Sequence, residues 1–109
     1  MSTEAIRLKP REREIVAEIV GRLVPGFDVY VFGSRATGKA TRSSDLDLAF
    51  EGDEPLEHSN EVALKTAFEE SNLDFFVDVV DVMTAGPTLR EAIRRDGRLL
   101  VSRKVSPST

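Results

Sequence analysis

The chain has 109 residues, 40% of them hydrophobic, which suits one compact core and leaves no length for a second, substrate-binding domain. Its 15 Lys and Arg against 19 Asp and Glu give a net charge of −4, which excludes the broad basic surface of a protein that grips long DNA or RNA. With no cysteine and one histidine, His58, the chain can build neither a disulfide framework nor a thiolate or histidine zinc site.

Met1 to Glu14 carries charge of both signs and lacks the apolar centre of a signal peptide. No apolar run approaches the roughly 20 residues of a membrane helix, so a reducing cytoplasm and no membrane are expected. From Arg11 onward Ile15, Val16, Ile19, Val20 and Leu23 recur at helical spacing, and the pattern predicts a core-packing helix from about Pro10 to Leu23. Pro10 fits the first turn, and Pro25-Gly26 stops the helix. Ile6 and Leu8 form a further apolar strip that packs inward or docks a partner. Phe27 to Phe32, aromatic and β-branched, predicts a buried strand. Gly33-Ser34 then turns the chain; glycine allows the backbone to approach a ligand, and amides of a turn or short helix near Ser34 can face a phosphate oxygen.

Arg35, Lys39 and Arg42 make residues 35 to 42 a cationic loop without an acid. It leads into Asp45-Leu46-Asp47-Leu48, where an extended backbone puts both carboxylates on one face, roughly 6 to 7 Å apart. Two such carboxylates repel unless a cation lies between them, and hard oxygen ligands suit Mg²⁺ or Mn²⁺. Glu51 to Pro55 closes the strand, and a helix is expected over about 57 to 71, with His58 as a solvated residue in its first turn. Asp74 to Met83 is dense in apolar residues and is expected to form a central strand. Asp78, on the face of Phe76 and Val80, is the better candidate for a third ligand; Asp81 suits a cap or a solvent-facing edge. A third amphipathic helix around Leu89, Ala92 and Ile93 ends at Gly97, with Arg90, Arg94 and Arg95 on a solvated or acid-docking face. A short strand follows at Leu99 to Val101, then a frayed tail at 104–109. The organisation expected is a single domain over 1–109 with its core at about 10–103.

Three carboxylates on two strands, facing a glycine-serine turn with cations, suit metal-assisted phosphoryl or nucleotidyl transfer by two ions. No G-x-x-x-x-G-K-[ST] or G-x-G-x-x-G occurs, so a nucleotidyl transferase or a metal-dependent hydrolase remains.

Gly33-Ser34, ten residues, then Asp45-Leu46-Asp47 resembles the G-S-x10-D-x-D signature of the DNA polymerase β-like nucleotidyltransferase superfamily. Gly33-Ser34-Arg35-Ala36, Gly38, Ser44-Asp45-Leu46-Asp47-Leu48 and Val77-Asp78-Val79-Val80-Asp81 extend the likeness to its minimal, MntA-type antitoxins over residues 10 to 103. The resemblance implies an α/β (α+β) fold, a small mixed sheet flanked by helices. It implies Asp45, Asp47 and Asp78 as catalytic metal ligands for Mg²⁺ or Mn²⁺, as two ions, and Gly33, Ser34 and Arg35 as the nucleotide-binding turn. ATP is the implied nucleoside triphosphate. The implied acceptor is a tyrosine of a helical HEPN-type toxin, giving a homo- or hetero-oligomer. Where many relatives read Gly-Ser-Arg-Ala-Arg-Gly, this chain has Thr37, which puts triphosphate affinity in question unless Lys39 or Arg42 compensates. Two other readings stand beside this one: an antitoxin that neutralises its partner by contact alone, and an enzyme that modifies a small molecule such as an aminoglycoside.

Overall fold

The first expected helix forms as α1 (Pro10–Leu23) in the computed structural model, which describes residues 6–41 and 43–103. Pro10 occupies the first turn, and the Glu12 carboxylate accepts the Lys9 N–H at 2.8 Å, closing the helix start. Val16, Ile19 and Val20 form its buried stripe. The elements that follow are β1 (Asp28–Phe32), α2 (Ser34–Thr37), β2 (Leu46–Glu51), α3 (His58–Glu69), β3 (Val77–Asp81), α4 (Pro87–Asp96) and β4 (Arg98–Val101). The tail read at 104–109 and the candidate cation Arg42 lie outside the described residues. Among the described residues no helix is long and apolar enough to cross a membrane.

The four strands pair in the order β3-β2-β1-β4. β1 runs antiparallel to β2 and β4, whereas β2 and β3 are parallel, so the sheet is mixed. Alternation along β2 decides what each face holds. Leu46, Leu48 and Phe50 point to one side and are wholly buried with Val29 and Val31 against Val16, Ile19 and Val20 of α1 and Leu64 and Phe68 of α3. Ala49 points to the other side and joins Phe32 and Ile93 in a smaller cluster, flanked by Tyr30, Val80 and Leu89, under α4. Asp47 lies on this second face.

The run from Asp74 to Met83 differs from its expected place. Only Val77 to Asp81 forms the strand, and it lies at the sheet edge rather than its centre. Val77 and Val79 pack towards the α1/α3 core and Val80 packs against the cluster under α4, while Phe76 and Asp78, at the start of the strand, are open to solvent. Apolar density reports burial of faces, and a strand connected to β2 through α3 satisfies it at the edge. Ile6 and Leu8 are partly buried against the main core.

Candidate active site

β1 ends at Phe32, and the next residue, Gly33, adopts φ +75°, ψ −153°, a region essentially reserved for glycine. That conformation lets the chain reverse at once into α2, where Ala36 N–H and Thr37 N–H donate to Gly33 O at 3.0 and 3.2 Å. Gly38, at φ +85°, ends the turn, and Lys39 N–H donates to Ser34 O at 3.1 Å. A side chain at Gly33 would run into the Asp47 carboxylate at Oδ2, so the turn lies directly against that acid.

The parallel ladder sets Asp47 opposite Asp78. Asp47 is half-buried and Asp78 exposed; Asp45, just before β2, is exposed. Burial pushes the Asp47 carboxyl up from 3.8 to about 6, with the Asp78 charge, a hydrogen bond to Asp78 and the Asp45 charge adding in that order. The fold thus brings together a pair, Asp47 and Asp78, with Asp45 alongside. Among the described residues no three acidic or histidine side chains close around one ion position. A hard divalent cation fits the chemistry of these oxygen donors, because it would offset the Asp78 and Asp45 charges that add to burial in raising Asp47.

Arg35 departs from the position expected of a triphosphate ligand. It is 4% exposed, and its guanidinium points inward: Nε and Nη2 donate to Ser44 O at 3.0 and 2.8 Å and Nη1 to Arg7 O at 2.6 Å, with the group 4.1 Å above the Phe75 ring. Arg7 N–H donates in return to Arg35 O at 2.9 Å. These bonds brace the loop before Asp45 from within. Thr37 and Lys39 are exposed on the turn. Asp81 accepts the Leu56 and Met83 N–H groups at 3.0 and 3.1 Å and is a cap, as its place near the strand end suggests. His58 is solvent-exposed, 4.0 Å from Glu61. Arg95 is paired with Asp96 at 3.0 Å. Read along the chain, Phe76 is one more aromatic in an apolar run, yet its side chain is 75% exposed. The available signal was its two-residue spacing from Asp78, which puts both on one face.

Comparison with known proteins agrees with this geometry. Residues 28–106 match the family described as polymerase beta, nucleotidyltransferase. The chain is 46% identical over 88 residues to the probable protein adenylyltransferase MntA of Haemophilus influenzae, covering 81% of this chain and 77% of that protein. Among solved structures, a toxin-antitoxin crystal structure with AMP-PNP superposes with TM-score 0.72 at 26% identity, covering 84% of this chain and 74% of that one. The fold also matches a tri-AMPylated Shewanella oneidensis HEPN toxin in complex with MNT antitoxin, with TM-score 0.65 at 23% identity over 82% of this chain and 68% of that one. The chain belongs to the polymerase β nucleotidyltransferase family, among its minimal MntA-type members.

Proposed function

We infer that this chain is a protein adenylyltransferase that transfers AMP from ATP to a partner HEPN-type toxin, acting as its antitoxin. The observation that carries the reading is the Asp47–Asp78 pair lying against the Gly33-Ser34 turn in a chain 46% identical to a probable protein adenylyltransferase. Asp45, Asp47 and Asp78 would hold Mg²⁺ or Mn²⁺, as one ion or two. Bound there, the metal would neutralise charge on the α-phosphate and the departing pyrophosphate. The turn at Gly33 and Ser34 offers its backbone to the triphosphate, and Lys39 adds charge from the loop. Arg35 holds that loop in shape through Ser44 and Arg7. A tyrosine hydroxyl of the toxin is the acceptor. Its oxygen bonds to the α-phosphorus as the bond from that phosphorus to the β-bridging oxygen breaks; pyrophosphate leaves and the phenolic proton passes to water. We take residues 10–103 as one catalytic unit, with the partner supplying the acceptor surface, and place the reaction in the cytoplasm, where ATP is available.

The test is the intact mass of the toxin after incubation with the chain, ATP and Mg²⁺. We expect a gain of one AMP or a multiple of it, reduced at least about 10²-fold by Asp45→Asn with Asp47→Asn. An unmodified toxin would overturn the reading. Toxin neutralisation undiminished in the folded double variant would favour contact alone, a reading to which Thr37 lends support, since the turn lacks a second guanidinium there.

A further inference from the structure

The first pair of the parallel ladder, Leu46 with Val77, is held by Leu46 N–H donating to Phe76 O at 2.9 Å, so Phe76 lies directly against the start of β2. Continuing the register of Leu46 with Val77 and Asp47 with Asp78 places Phe76 beside Asp45. Phe75 packs into the α1/α3 core, whereas its neighbour Phe76 is open to solvent and lines the same cleft as Asp78. Asp45, Asp47, Asp78 and Phe76 thus form four corners of one patch, three of them carboxylates and the fourth a phenylalanine 75% exposed. One exposed phenylalanine is ordinary by itself, but this one opens into the same cleft as Asp78, where an apolar platform beside a carboxylate suits an aromatic acceptor.

The fold also decides which reactant meets it. Gly33, at the end of β1, lies against Asp47 from one side of β2, whereas Phe76 and Asp78 belong to β3 on the other side. In phosphoryl transfer the attacking and leaving oxygens lie roughly in line on opposite sides of phosphorus. With pyrophosphate held at the Gly33-Ser34 turn, the acceptor oxygen approaches from β3. On that side a cleft of about 520 Å³ runs from Asp78 and Phe76 to Phe68, Leu73 and Lys65. Glu69, Asp74 and Asp78 outnumber Lys65 along its walls, which suits a basic segment.

We propose that Phe76 is the platform on which the acceptor tyrosine ring packs, the toxin segment that bears it entering along the β3 edge. Aromatic rings pair favourably in offset or edge-to-face arrangements, so the contact orients the phenol while leaving its hydroxyl directed at the acids. The inference rests on the reading of the site as a protein adenylyltransferase.

The experiment measures initial rates of AMP transfer to the toxin by intact mass, with toxin and ATP varied in turn, for wild type, Phe76→Ala, Phe76→Leu and Phe76→Tyr. We expect Phe76→Ala and Phe76→Leu to lower kcat/KM for the toxin about tenfold. The KM for ATP should stay unchanged, and Phe76→Tyr should recover most of the rate. Circular dichroism checks that the variants fold, which is expected of a side chain so exposed. Unchanged toxin kinetics in Phe76→Ala and Phe76→Leu, or a change in KM for ATP in place of that for the toxin, would overturn the platform and leave the adenylyltransferase reading intact. A wild-type chain that modifies no toxin would overturn both.

Discussion

At the residue scale, Asp47 is where the architecture concentrates its charge conflict. Its carboxyl lies at about 6 in the fold against 3.8 unperturbed, so the folded chain keeps a proton that the unfolded chain releases between those values. That proton favours the fold below about pH 4, and the advantage is lost as pH rises through about 6. In the absence of metal we therefore expect Tm to fall between about pH 5 and about pH 7.5, a trend weakened in Asp78→Asn, by thermal unfolding in EDTA. Mg²⁺ should raise Tm more at the higher pH, where the carboxylates are charged; an equal rise at both would contradict a cation site at Asp47 and Asp78. Gly33 is as constrained. Alanine there must adopt φ +75° and place its Cβ against the Asp47 carboxylate. We expect Gly33→Ala to lose about 1–3 kcal/mol in denaturant unfolding and to suppress AMP transfer.

At the element scale, the short helix α2 is held by the side chain of its own second residue. Arg35 ties α2 to the segment at Arg7, to Ser44 just before the first acid, and to Phe75 just before the third. Replacing it with methionine keeps apolar bulk but leaves the Ser44 and Arg7 carbonyls without these donors. We expect Arg35→Met to cost about 2–3 kcal/mol in urea unfolding and to raise KM for ATP, since the turn loses its brace; unchanged stability would show the bonds to be dispensable. The arginine is legible in the sequence as a cation beside a phosphate turn. Its inward direction is not, because both carbonyl acceptors come from segments that only the folded chain brings near. The edge placement of β3 was hidden for a related reason, since an apolar run does not say which of its residues are buried, and here Val77, Val79 and Val80 pack inward while Phe76 stays exposed.

At the scale of the whole molecule, β2 joins the two layers. Leu46, Leu48 and Phe50 anchor it in the α1/α3 core while Asp47 on its other face belongs to the proposed site, so stability and the proposed chemistry share one strand. Leu48 is wholly buried, and Leu48→Ala should cost about 2–5 kcal/mol by denaturant unfolding, a large part of the stability of a chain this size. At temperatures where the variant stays folded, AMP transfer should persist, since no reacting group is removed.

The sequence by itself pointed to α1 at about Pro10 to Leu23, to the order of helices and strands, to the turn at Gly33-Ser34 and to three candidate acids, because periodicity, turn chemistry and an acid inside an apolar run are all local signals. It left Asp81 as a cap or a solvent-facing edge charge, and the fold makes it a cap by bringing the Leu56 and Met83 N–H groups to its carboxylate. Only the tertiary structure decided that Asp47 and Asp78 meet across a parallel ladder, that Arg35 turns inward, and that β3 is an edge with Phe76 open beside the acids. Pairing partners and side-chain direction depend on contacts between segments distant in the chain, and neither periodicity nor spacing encodes which edge remains free.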